Sequence, residues 1–172
     1  LEKLETLQTE TNKKLGDQND PLLVSVRSGA AISMPGMMDT VLNLGLNDQT
    51  VEAMAQKTQN PRFAYDSYRR FIQMFGDVVM GVKHEEFEKI LQQIKDQKGV
   101  QVDTDLDTND LKNLIQNFKQ VIQNTTGKLF PSDPKDPWEM SIKAVFDSWD
   151  NDRAITYRRL NNIHGLIGTP VN

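Results

Sequence analysis

Apolar positions recur at helical spacing through most of the chain after residue 60. Phe63, Tyr65, Tyr68, Phe71, Ile72 and Phe75 form an aromatic stripe that predicts a helix opening at Asn60-Pro61, where proline suits a first helical position. Gly76 predicts a break, with continuation from Asp77 to Val82. Phe87, Ile90, Leu91 and Ile94 sit at i, i+3, i+4 and i+7, an amphipathic helix ended near Gly99. Leu111, Leu114, Ile115, Phe118, Val121 and Ile122 keep the same spacing in a helix capped by Thr108 and closed at Gly127. The prolines between Phe130 and Pro137 predict a stiff loop, because each disfavours helix in the residue before it. A long helix then runs from about Trp138 to Asn161, with an interruption at Asp150-Asn151-Asp152.

The first sixty residues are less regular. Leu1, Leu4 and Leu15 are partly in phase for a helix that Gly16 ends. Residues 22–27, Leu-Leu-Val-Ser-Val-Arg, lie between Pro21 and Gly29 and predict a buried strand. Residues 28–39 carry two glycines and three methionines with no period, and read as a loop with apolar content. Asp39 or Thr40 is placed as the cap of a short helix through Val41, Leu42 and Leu44, ended by Gly45, with a second short helix from Val51 to Lys57. One strand cannot form a sheet, so its partner is sought elsewhere, with Gly165-Leu166-Ile167 a candidate. The fold class expected is α+β, predominantly helical.

Composition removes several chemistries. No cysteine is present, which excludes disulfides, thiolate metal sites and Cys nucleophiles. Only two histidines, His84 and His164, are present, which excludes a His-rich zinc site. A net charge of −4 argues against general binding to nucleic acid or anionic membrane, and no apolar run reaches the ~18 residues of a membrane span. The acids Asp103, Asp105 and Asp107 lack the glycine and distal glutamate of a calcium loop. Neither a P-loop nor a Gly-x-Gly-x-x-Gly fingerprint occurs.

Arg27, followed by Ser28 and Gly29, is the most suggestive local arrangement. A guanidinium makes two-pronged, charge-assisted hydrogen bonds to phosphate, and a glycine lets free backbone N–H groups approach. An arginine ending a strand can equally pair with a neighbouring acid. For the loop Ser33-Met34-Pro35-Gly36-Met37-Met38-Asp39-Thr40, phosphate binding would use backbone amides, whereas the plain alternative is a capped turn with methionines filling a gap. Arg62, Arg69 and Arg70, and Arg153, Arg158 and Arg159, either dock an anion or partner or are simply solvated.

Three blocks extend this reading. The run Leu22–Asp48 with its Val-Arg-Ser-Gly and Ser-Met-Pro-Gly-Met-Met-Asp-Thr, the run Asn60–Phe75, and Ser148-Trp149-Asp150-Asn151-Asp152-Arg153 through Arg159 resemble, in order, the N-terminal nucleotide-binding region of the pyruvate, phosphate dikinase family. The resemblance implies part of an ATP-grasp domain with an inserted helical subdomain. Residues 1–59 would belong to the ATP-grasp lobe, 60–127 to the helical subdomain, and 128–172 to the returning lobe. It implies ATP with Mg as cofactors and phosphate as a further ligand. It assigns Arg27 to the nucleotide phosphates, with Ser28 and Gly29 beside it.

In that family ATP, phosphate and pyruvate interconvert with AMP, pyrophosphate and phosphoenolpyruvate through a phosphohistidine on a central domain. The Thr-Ser-His motif of that domain is absent, so no catalytic residue is assigned here. The resemblance therefore implies a piece of a longer enzyme, inactive alone, which turnover by the isolated chain would refute. Arg69, Arg70, Arg158 and Arg159 become candidate contacts for the central domain. A homo-oligomeric, cytoplasmic or organellar enzyme is implied, with no nucleic-acid or membrane partner. The competing readings are the related phosphoenolpyruvate synthase and a non-enzymatic helical interaction module.

Overall fold

A computed structural model describes residues 2–172; the expected place of Leu1 in the first helix lies outside the described residues. In chain order the elements are α1 (Glu2–Thr11), β1 (Val24–Arg27), β2 (Thr40–Leu44), α2 (Thr50–Thr58), α3 (Pro61–Val78), α4 (His84–Lys98), α5 (Thr108–Thr126), α6 (Lys135–Asp147) and α7 (Asp152–Leu160). A 3-10 turn over Ser148–Asp150 separates the last two, so the interruption falls where the Asp-Asn-Asp sequence placed it. The α+β, mostly helical class holds.

The strand partner is the main correction. Residues 40–44, read as a short helix, form β2, antiparallel to β1, while Gly165-Leu166-Ile167 is not a strand and Ile167 is fully exposed. The cause is a bulge. Val24 faces Leu44 and Val26 faces Val41, so Leu42 and Asn43 together oppose Ser25. Asn43 takes the extra residue in a left-handed conformation, φ 60°, which asparagine tolerates better than most side chains. The bulge shifts the alternation by one residue. Val41 and Leu44, three apart, both become buried and so imitate helical spacing.

One apolar cluster runs from Val26, Val41 and Leu44 through Phe71, Phe75, Phe87 and Phe118 to Val145. Phe71, Phe75 and Phe130 pack with ring centroids 5.5–5.7 Å apart, and Phe87 meets Phe118 edge-on at 4.9 Å. Gly76 does not break α3. It lies where α3, α4 and α5 meet, and a Cβ there would stand 2.5 Å from Phe87 Cζ and 3.1 Å from Ile122 Cδ1. Asp107, not Thr108, caps α5. Its carboxylate accepts from Asn109 and Asp110 N–H, and the Asp110 carboxylate accepts from Asp107 N–H, a reciprocal box. The proline-rich loop ends earlier than expected, because Pro137 already lies in the first turn of α6, where its missing N–H has no helical partner to lose.

Candidate functional site

β1 ends at Arg27, directly opposite Thr40, the first residue of β2. The chain between them, 28–39, is a long hairpin loop whose two roots lie side by side at one end of the sheet. The Arg27 side chain is exposed and, among the described residues, has no acidic partner; Asp39, the acid of the same loop, is held by Arg153 at 2.9 Å. A permanent cation is thereby left available at the loop's mouth.

The backbone beside it differs from expectation. Arg27 N–H donates to the Asn172 carbonyl (2.9 Å), Asn172 N–H donates back to the Arg27 carbonyl (2.8 Å), and Gly29 N–H donates to the Pro170 carbonyl (2.8 Å). The amides expected to be free at these two positions are therefore occupied by segment 170–172. Ser28 is half-buried and bridges Val171. Gly29 lies close under this crossing, where a Cβ would stand 2.4 Å from Asn172 Nδ2 and the exposed Asn172 side chain would have to turn aside.

The loop's descending limb is fixed by residues that sequence reasoning did not single out for this role. Asn151 Nδ2 donates to the Met37 carbonyl (3.1 Å), Asp39 N–H donates to Ser148 Oγ (3.1 Å), and Arg153 pairs with the Asp39 carboxylate. Met34 is buried and pins the loop's middle. The first and third resembling blocks, over a hundred residues apart, thus form one unit. Their shared family pattern was the available signal; the contacts themselves have none.

The other arginines separate clearly. Arg69 is 4% exposed, held by Asp66, Asp103 (3.4 Å) and Gln73 (3.2 Å), and so is not part of any free surface. Arg70 is exposed and pairs with Asp66 at 3.0 Å. Arg62 donates to the carbonyls of Leu106 and Asp103 (2.9 and 2.8 Å) and ties α3 to the connection between α4 and α5. Arg158 stacks on Trp149, 4.0 Å from the ring centroid, and donates to the Trp149 carbonyl at 2.7 Å. Arg159 is exposed.

At the opposite end of β2 lies a cleft of about 600 Å³, lined in part by Asp48, Tyr68, Lys119 and Phe130. Burial, reinforced by the Asp48 carboxylate, pushes the Tyr68 phenol well above its ordinary range, so it stays a hydrogen-bond donor. Lys119 bonds the same carboxylate at 2.6 Å, so this polar set is mutually satisfied. His84 lies between Asp77 and Glu88, at 3.3 and 3.5 Å.

An exposed arginine with no acidic partner among the described residues heads a tethered loop on a small sheet in an otherwise helical molecule, an α+β module. Comparison with known proteins makes this specific. The chain belongs to the family described as pyruvate phosphate dikinase, AMP/ATP-binding domain, which matches residues 2–166. It is 60% identical over its whole length to pyruvate, phosphate dikinase of Clostridium symbiosum, covering 20% of that protein. It is 58% identical to the chloroplastic pyruvate, phosphate dikinase 1 of Arabidopsis thaliana, covering 18% of it. The chain thus spans about a fifth of the length of the curated relatives it matches.

Proposed function

We propose that this chain binds ATP and phosphate within a pyruvate, phosphate dikinase, as part of an ATP-grasp lobe (1–59 and 128–172) carrying a helical subdomain (60–127). Arg27 is the residue proposed to hold the nucleotide phosphates, with Ser28 and Gly29 shaping the strand end. The observation that carries the reading is the exposed guanidinium without an acidic partner, in a chain whose similar proteins are named for this reaction. In the proposed reaction ATP, phosphate and pyruvate give AMP, pyrophosphate and phosphoenolpyruvate, through a phosphohistidine carried elsewhere in the enzyme. Phosphoryl transfer depends chiefly on positioning and charge stabilisation. Arg27 supplies both: a fixed cation that orients the phosphate chain and offsets the charge on its oxygens.

Magnesium is held by few protein carboxylates and by substrate phosphates, so no all-protein cage is required of the described residues. No group of three or more His, Asp or Glu side chains converges among them, and Asp39 is engaged by Arg153. Magnesium is accordingly proposed to arrive with the nucleotide, and no step is assigned to it here. The exposed arginines Arg70 and Arg159 are proposed to face the phosphohistidine domain; Arg69, buried in its ion pairs, is left out of that surface. A cytoplasmic or plastid compartment is proposed, in keeping with relatives named chloroplastic. Among the described residues no helix is long and apolar enough to cross a membrane.

The test is equilibrium binding of Mg·ATP to the intact enzyme with and without Arg27→Ala. Hydrogen bonds to a charged group contribute about 1.5–3 kcal/mol, so affinity should fall by about tenfold or more. An unchanged dissociation constant would overturn the assignment.

A further inference from the structure

We infer that Asn151 is a positioning residue for the phosphate loop, and that it sets the loop through its side-chain NH2 while its side-chain carbonyl performs a separate task. The inference rests on the proposed nucleotide role of Arg27. The geometry comes from two hydrogen bonds made by one amide. Asn151 Oδ1 accepts from Ala154 N–H at 2.7 Å and caps α7. Asn151 Nδ2 donates to the Met37 carbonyl at 3.1 Å. The partners fix the orientation of the amide, because an N–H requires the oxygen and a carbonyl requires the NH2.

The loop needs such a tether. Between Ser28 and Asp39 its only internal backbone bond among the described residues is Met37 N–H to the Met34 carbonyl, at 3.1 Å. Gly36, in this turn, has a positive φ of 72° and open space where a Cβ would stand, so packing holds the turn at Met34 and not at Gly36. The descending limb is held instead by three residues from one short segment: Ser148, Asn151 and Arg153. Ser148 is itself buried and donates to the Val145 carbonyl at 2.7 Å, which fixes it to the end of α6. The tethers therefore connect the loop to a rigid part of the core. Because the loop's roots are Arg27 and Thr40, fixing its far limb also fixes the surroundings of the Arg27 guanidinium. A binding group held loosely loses affinity even when it is present.

Asn151→Asp separates the two tasks. Aspartate caps a helix as well as asparagine, so α7 is retained. It has no NH2, and its carboxylate would face the Met37 carbonyl. Asn151→Ser is a second variant with the same logic: it caps and cannot reach the loop.

In the intact enzyme both variants should melt with wild type. Hydrogen exchange should quicken in 33–40 and stay unchanged in 152–160. Loss of one part-buried hydrogen bond predicts Mg·ATP affinity about two- to tenfold weaker. Retained affinity in both variants, alongside weakened binding by Arg27→Ala, overturns the inference and leaves the nucleotide role standing. Retained affinity in Arg27→Ala overturns the nucleotide role and this inference with it. A lower melting temperature with faster exchange in 152–160 also overturns it, since Asn151 would then act only as a helix cap.

Discussion

Arg69 and Arg70 are adjacent in sequence and opposite in fate. The 3.6-residue period turns one toward the junction of α3 with the 103–106 segment and the other toward solvent. Asp66 serves both, bonding Arg69 through Oδ1 and Arg70 through Oδ2. Breaking a buried pair costs up to about 3–5 kcal/mol where the partner keeps no counter-charge, and an exposed pair contributes about 0–1 kcal/mol; Asp66 keeps Arg70 and Asp103 keeps Lys95 when Arg69 is removed. Urea denaturation should therefore show Arg69→Ala clearly more destabilised than Arg70→Ala, the latter by about 1 kcal/mol or less. Equal effects would mean that Arg69 is not buried as described. At this scale sequence alone could name the arginines but not rank them, because burial depends on what the neighbouring element presents.

At the scale of elements, β1 and the glycine-marked ends of α4 and α5 were legible and β2 was not. Gly99 and Gly127 end α4 and α5 in left-handed conformations, as their positions in the pattern implied. The α5 cap also carries a pH dependence. Lys98 bonds Asp107, and with the amides of Asp110 and Asn109 it draws the Asp107 carboxyl down to about 2 from an ordinary 3.8. A carboxyl whose folded value lies below its unfolded value stabilises the fold above the unfolded value. That contribution is present above about pH 4 and fades as pH falls toward 2. Thermal melts followed by circular dichroism should show wild type losing its advantage over Asp107→Ala across that window. A constant difference between the two from pH 6 to 2 would contradict the cap. β2 escaped sequence reading for a single reason. The bulge at Leu42 and Asn43 places buried residues three apart, and periodicity cannot distinguish a bulged strand from one helical turn.

At the scale of the whole molecule, the core joins sheet and helices, and the exposed cations lie outside it. Val26 and Val41 of the sheet and Phe118 of α5 belong to one cluster, with α6 joining through Val145. Arg70 on α3 and Arg159 on α7 stand outside that core, where charge changes leave packing intact. Reversing both charges in the intact enzyme should slow single-turnover phosphoryl transfer to the histidine while leaving Mg·ATP affinity in place. Unaltered transfer kinetics would remove these residues from the docking surface.

The sequence alone determined the helices from residue 50 onward, the position of Arg27 at a strand end and the family resemblance. Each of these is a local property: a period, a turn residue or a contiguous run. Only the tertiary structure decided that residues 40–44 pair with β1, that Gly29 accommodates segment 170–172, and that Ser148, Asn151 and Arg153 hold the loop beside Arg27. The β1–β2 pair apart, those contacts join residues over a hundred positions apart, and no local pattern encodes which distant hydrogen-bonding groups will meet. They are set by how the whole chain buries its apolar faces, and the polar tethers follow from that packing.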